Sequence, residues 1–205
     1  MESPFRPDLT PDFRVIETFG WDGKRHPRLS RHEARARETC AQLGIPFVGL
    51  DPPRPGHPAR IRIAIAPDGT AEATVTPLTP APDRWRVAVA AERLEAADPW
   101  LRIKTTRRGL YDRARAGMAP GVDELIFLNE RDEVCEGTIT NLFFDRGQGL
   151  RTPPITSGLL PGVLRAELLD QGCKTEVLPA HDLAKVRLWM GNSLRGLIPA
   201  QLILS

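Results

Sequence analysis

Four short segments of this 205-residue chain combine residue types that do chemistry. The first is Ile103-Lys104-Thr105-Thr106-Arg107-Arg108, where a single lysine sits between an apolar residue and two hydroxyl residues. Burial there would lower its pKa and leave a neutral amine to act as nucleophile or base. An ordinary surface lysine beside two arginines is the bland alternative. The second runs from Thr156 to Arg165, where Gly158, Pro161 and Gly162 lead into a helix whose first N–H groups are free. Such a start binds phosphate through those groups and the helix dipole, although proline at a helix entry is also simply a start signal. The third is Gly191-Asn192-Ser193 at a strand end, which can complete a phosphate cup or form a plain turn. The fourth is Cys135-Glu136-Gly137, an acid inside an apolar hairpin. A buried carboxylate is costly unless it meets a cation, and a protonated pyridine nitrogen or an arginine would serve.

A lysine, an internal carboxylate and two phosphate-type turns are together the parts that hold pyridoxal phosphate. Composition bears only on the class of partner. The 28 basic and 26 acidic residues are mixed along the chain, so no nucleic acid or membrane partner is expected, while small anions are compatible with local clusters. No apolar run approaches the ~20 residues of a membrane span. Met1 to Pro11 lacks the apolar stretch of a signal peptide, and three scattered cysteines read as reduced thiols, so a cytoplasmic location is expected. The four histidines show no ligand spacing, so no metal is expected.

These segments must be positioned by short strands and helices. Arg14 to Phe19 reads as a strand, followed by a helix from an N-cap at Ser30 to Leu43, closed by Gly44 and Pro46. Arg60 to Ala66 and Ala71 to Val75 form a hairpin about Pro67-Asp68-Gly69. Proline-rich loops at 51–58 and 77–82 flank it, and Trp85 to Ala90 is a further strand. The stretch from about Glu92 to Arg102 reads as a connector. Beyond it come a helix over Thr105–Ala116, a long hairpin over Asp123–Asp145 with its turn at Asn129 to Glu133, and a helix over Gly162–Gln171. Strands near Arg187–Met190 and Leu197–Leu202 follow. In that hairpin Leu125 to Leu128 are expected to pair toward Ile139, Leu142 and Phe143. The expectation is an α+β chain, strand-rich, with an N-terminal lobe over 1–95, a connector over 96–103 and a C-terminal lobe over 104–205.

In order along the chain, the patterns at Lys104 to Arg108, Glu136 to Phe143 and Thr152 to Arg165 resemble those of the class IV aminotransferases, the fold-type IV pyridoxal phosphate enzymes. The resemblance implies a two-lobed fold like that of D-amino acid aminotransferase, with the N-terminal lobe shortened. It implies that Lys104 is the Schiff-base lysine and Glu136 the partner of the pyridine nitrogen. Leu160 matches the residue packed on the ring, the N–H groups of Val163 and Leu164 match the phosphate turn, and Asn192 with Ser193 match its second wall. Arg35, within His32-Glu33-Ala34-Arg35, matches the phosphate-binding arginine, though alanines flank it where leucines are usual. A homodimer is also implied.

Within that family, branched-chain and D-amino acid transaminases usually carry a small residue and Ala-Glu after the last phosphate turn. Asn192-Ser193-Leu194-Arg195-Gly196 instead looks like 4-amino-4-deoxychorismate lyase, which forms pyruvate and 4-aminobenzoate in folate synthesis, and the Lys-Thr-x-x-Arg pattern favours the same activity. The substrate would be an anionic amino compound, with Arg107, Arg108, Asn141 and Arg195 as candidate contacts. A transaminase and a catalytically silent cofactor-binding relative are the alternatives.

Overall fold

The computed structural model describes residues 9–80 and 82–203, so most of the N-terminal segment and one residue of the second proline-rich loop lie outside it. The chain divides into two compact units. Among the described residues, one comprises 9–80 together with Ile103–Arg107; the other comprises 82–102 and 108–203.

In the first unit, β1 (Val15–Trp21), β2 (Ala59–Ile65) and β3 (Ala71–Pro77) form an antiparallel sheet. α1 (Leu29–Leu43) packs on β1. Alternate positions of β1 and β2 are apolar and buried (Val15, Phe19, Ile61, Ile63, Ile65), and with Ala36, Cys40 and Leu43 of α1 they supply the core. The helix ends as expected at Gly44, whose φ of +69° suits glycine. Its start differs: Arg28, not Ser30, is the N-cap residue, and no side chain caps it.

The outer edge of β1 is taken by residues 103–107. Ile16 N–H donates to Lys104 O at 2.8 Å, Thr106 N–H donates to Arg14 O at 2.9 Å, and Val15 faces Thr105. This pairing removes Thr105 and Thr106 from the expected helix, so α2 spans only Gly109–Ala116. It also puts the lysine segment with the N-terminal sheet, whereas the sequence boundary grouped Lys104 with the C-terminal lobe.

The second unit is built on β4 (Trp85–Leu94), β5 (Glu124–Asn129), β6 (Val134–Gly137), β7 (Asn141–Asp145), β8 (Arg151–Thr152), β9 (Lys174–Thr175), β10 (Arg187–Asn192) and β11 (Gly196–Leu202). The order is β10-β11-β4-β5-β6-β7-β8-β9, and β10 also pairs with β7. That last pairing closes six strands into a barrel, which leaves them no open edge. β4 runs beyond Ala90, the expected strand end, to Leu94 because it lies parallel between β5 and β11. The long hairpin is in fact a meander. Ile126 and Leu128 pair with Gly137 and Val134, while Leu142 and Phe143 pair with Met190 and Trp189.

Strand alternation fills the barrel with Val87, Ile126, Leu128, Leu142, Phe144, Leu188 and Met190. The opposite faces take the helices. Phe127 packs with Tyr111 and Ala114 of α2, and Phe143 packs with Leu164 of α3 (Val163–Asp170). Among the described residues no helix is long and apolar enough to cross a membrane.

Candidate functional site

Glu136 is buried at 5% exposure on β6, in the second unit. Tyr111 donates its hydroxyl to Oε1 at 2.7 Å, and the backbone N–H of Leu160 donates to Oε2 at 3.1 Å. Asn141 Nδ2 lies 3.5 Å from the same oxygen and donates more closely, at 2.8 Å, to Leu160 O. Burial and the neighbouring carboxylate push the Tyr111 hydroxyl far above its ordinary range, so it stays a proton donor to Glu136. The carboxylate is thus oriented by hydrogen bonds from Tyr111, the Leu160 N–H and, more weakly, Asn141.

The phosphate-type start of α3 is present. Gly162 is its N-cap residue, no side chain caps the helix, and no acid lies in the first turn. The N–H groups of Val163 and Leu164 therefore have no intrahelical acceptor and sit at the positive end of the dipole. Their side chains are buried under the sheet, so the backbone is the part that can meet an anion. Gly162 is required by packing: a Cβ there would fall 1.9 Å from Asn141 Oδ1. At the other turn, β10 continues through Asn192, two residues beyond the expected end. Asn192 Oδ1 accepts the N–H groups of Leu194 and Arg195 at 3.1 and 3.0 Å, and its Nδ2 donates to Ile139 O at 3.2 Å. Its side chain therefore shapes the turn that carries Ser193.

In the first unit, Arg35 forms a two-pronged pair with Glu17: Nε to Oε1 at 2.8 Å and Nη2 to Oε2 at 2.6 Å. Those bonds use two of the five guanidinium N–H donors. His32 Nδ1 also meets Glu17 Oε2, at 2.5 Å. Burial would raise the Glu17 carboxyl, but Arg35 and the His32 contact prevail and hold it at about 2. Burial pushes His32 below its usual value against the pull of Glu17, and the charges of Arg35 and Lys104 add to that push. Lys104 thus lies within electrostatic reach of a buried Glu–His–Arg cluster.

The substrate candidates divide. Arg107 and Lys104 stay with the first unit, whereas Arg108, Asn141 and Arg195 belong to the second. Arg108 is already engaged by Asp112 at 2.7 Å and by Thr138 O at 3.0 Å, and Asn141 is turned to Leu160 and Glu136. Sequence reasoning missed Glu17, His32 and the role of Tyr111. A signal existed for the first two: an acid within the apolar run Val15-Ile16-Glu17, and a histidine three positions before Arg35 on one helix face.

A solved structure of a protein from Mesorhizobium loti, provisionally named an amino-acid aminotransferase, superposes with a TM-score of 0.86 at 42% identity, over 94% of this chain and 100% of that one. A Methanocaldococcus jannaschii protein, provisionally named a branched-chain-amino-acid aminotransferase, is 28% identical over 68% of this chain and 48% of its own. Aminodeoxychorismate lyase from Bacillus subtilis is 35% identical over 44% of this chain and 33% of its own. The chain thus spans about half, or less, of the curated relatives it matches. The model of the amino-transferase class IV family matches residues 14–203, nearly the whole chain. With that match and a strand-rich, barrel-containing α+β fold shared with its solved relatives, the chain belongs to the class IV aminotransferases, enzymes that use pyridoxal 5′-phosphate.

Proposed function

We propose that this chain is a pyridoxal phosphate-dependent 4-amino-4-deoxychorismate lyase, releasing pyruvate and 4-aminobenzoate. The observation that carries this choice is the turn after β10. Asn192 closes it with two side-chain hydrogen bonds, from the N–H groups of Leu194 and Arg195, and a third ties it to Ile139 O; a transaminase usually has a small residue and Ala-Glu here. The likeness to the Bacillus subtilis lyase supports it. The residues fit the cofactor by the chemistry of their donors. Glu136 would partner the ring nitrogen, Leu160 would pack on the ring, and Val163, Leu164, Ser193 and Arg35 would meet the phosphate. When bound, the cofactor supplies an electron sink for the carbanion formed on proton loss.

Lys104 would carry the cofactor and, once its amine is freed by the substrate, move the proton. Glu136, oriented by Tyr111 and the Leu160 N–H, keeps a positive charge on its partner. Asn192 orients rather than reacts. Arg107 and Arg195 would contact the substrate carboxylates, and Arg108 and Asn141 would hold the walls to which they are hydrogen-bonded. Formation of aromatic 4-aminobenzoate drives release forward with no second substrate. The proposal extends to a cytoplasmic homodimer that supplies 4-aminobenzoate for folate synthesis.

A second reading, amino-acid transamination, is favoured by the likeness to the Mesorhizobium loti structure. Incubation with enzymatically generated aminodeoxychorismate separates the two. The lyase releases pyruvate and 4-aminobenzoate in equal amounts, and Lys104→Ala abolishes both. No release, alongside exchange of amino groups between an amino acid and a 2-oxo acid, would establish the transaminase instead.

A further inference from the structure

Glu124, the first residue of β5, has no exposed surface. Its carboxylate faces the turn 138–140 that joins β6 to β7. Oε1 accepts the N–H of Thr138 at 3.1 Å and its hydroxyl at 2.5 Å. Oε2 accepts the N–H of Ile139 at 3.2 Å and the hydroxyl of Thr140 at 3.1 Å. Arg115 Nη1 donates to Thr138 Oγ1 at 2.8 Å and lies 3.5 Å from Glu124 Oε1. A guanidinium can only donate, so the single proton of the Thr138 hydroxyl goes to Glu124.

The carbonyls of the same turn are used as well. Thr138 O accepts from Arg108 at 3.0 Å, Ile139 O from Asn192 at 3.2 Å, and Thr140 O from the Gly137 N–H at 2.8 Å. No slack exists at its entry. A Cβ on Gly137 would stand 2.4 Å from Thr140 Oγ1, 2.8 Å from Met190 Cε and 3.0 Å from Glu124 Cδ.

A carboxylate with no access to water is costly unless its lone pairs are filled, and an apolar side chain would fill this volume more cheaply. What only a carboxylate provides here is simultaneous acceptance of four donors from three successive residues. Glu136 enters that turn, and Asn192, which shapes the 193–195 turn, is hydrogen-bonded to its middle. We propose that Glu124 is a positioning residue that sets Glu136 against the Asn192–Arg195 turn, and so the spacing between the group facing the ring nitrogen and the wall facing the phosphate. This rests on the pyridoxal phosphate assignment above.

The test uses the whole chain with pyridoxal 5′-phosphate, comparing the parent with Glu124→Gln and Thr138→Val. Glutamine keeps the shape but offers one acceptor oxygen; valine keeps the shape and deletes the hydroxyl relay. The readouts are the cofactor dissociation constant and the visible circular dichroism per bound cofactor, both taken well below each melting temperature. The expected result is a dissociation constant raised roughly tenfold, a size typical for loss of an outer-shell partner, with weaker dichroism at saturation. A purely structural role would lower the melting temperature and leave the dichroism of bound cofactor unchanged. Parental affinity and dichroism in the folded variants would overturn the proposal, and Thr138→Val decides alone if Glu124→Gln does not fold. A parent that binds no pyridoxal 5′-phosphate would overturn the assignment beneath it, and is distinguishable because neither Glu124→Gln nor Thr138→Val enters that comparison.

Discussion

Glu136 is the carboxylate on which the proposed chemistry of the second unit rests, and its neighbours define how it can be probed. Glu136→Gln keeps the volume and removes the charge, so kcat is expected to fall by about 10²–10³, the size associated with losing one preorganised electrostatic partner. Tyr111→Phe removes only the 2.7 Å hydrogen bond to Oε1. Its expected cost in stability is about 1 kcal/mol, readable by denaturant titration, together with a shift of the cofactor's visible band. In the first unit the titration of His32 gives a pH prediction. Its folded pKa lies below the usual value, so the unfolded chain takes up this proton first as pH falls. Stability is then full above about 6.5, the unfolded value, and declines below it. Glu17 acts with the same sign at lower pH, its contribution disappearing between 4.5 and about 2. Thermal midpoints from pH 7 to pH 5 should therefore drop in the parent and drop less in His32→Gln; equal slopes would contradict the assignment.

At the scale of elements, the site depends on loops that strands hold in place. Asn141 on β7 holds the carbonyl of Leu160, and Gly162 leaves it the room to do so. Gly162→Ala is expected to displace Asn141 and weaken cofactor binding with little change in far-UV circular dichroism. An unchanged dissociation constant would show that this loop is not part of the cofactor's seat. The linear motifs were legible before the structure because each is a contiguous run: Glu136-Gly137, Leu160 to Leu164, and Asn192-Ser193. Elements with local signals were legible too, such as the hairpin about Asp68-Gly69 and the helix ending at Gly44. The pairing of β7 with β10 was not, because its partners lie more than 40 residues apart and apolar alternation does not name a partner. Tyr111 was hidden because nothing local names Glu136, 25 residues away, as its partner, whereas Glu17 and His32 carried a local signal that only the fold joins to Arg35.

For the whole molecule, the division of labour between the units follows from strand pairing. β4, read as leading into a connector, is a central barrel strand, and the short return of residues 103–107 adds Lys104 to the edge of the N-terminal sheet. The lysine's backbone is therefore held by β1, while Glu136 is held by the barrel. Lys104 competes as the cofactor's carrier with the chain's other lysines, Lys24, Lys174 and Lys185. The most direct measurement is borohydride reduction of the protein loaded with pyridoxal 5′-phosphate, followed by mass analysis of its peptides. The pyridoxyl phosphate mass is expected on the peptide containing Lys104 and to be absent from Lys104→Ala. Labelling at another lysine, or stoichiometric labelling that survives in Lys104→Ala, would contradict the role given to Lys104.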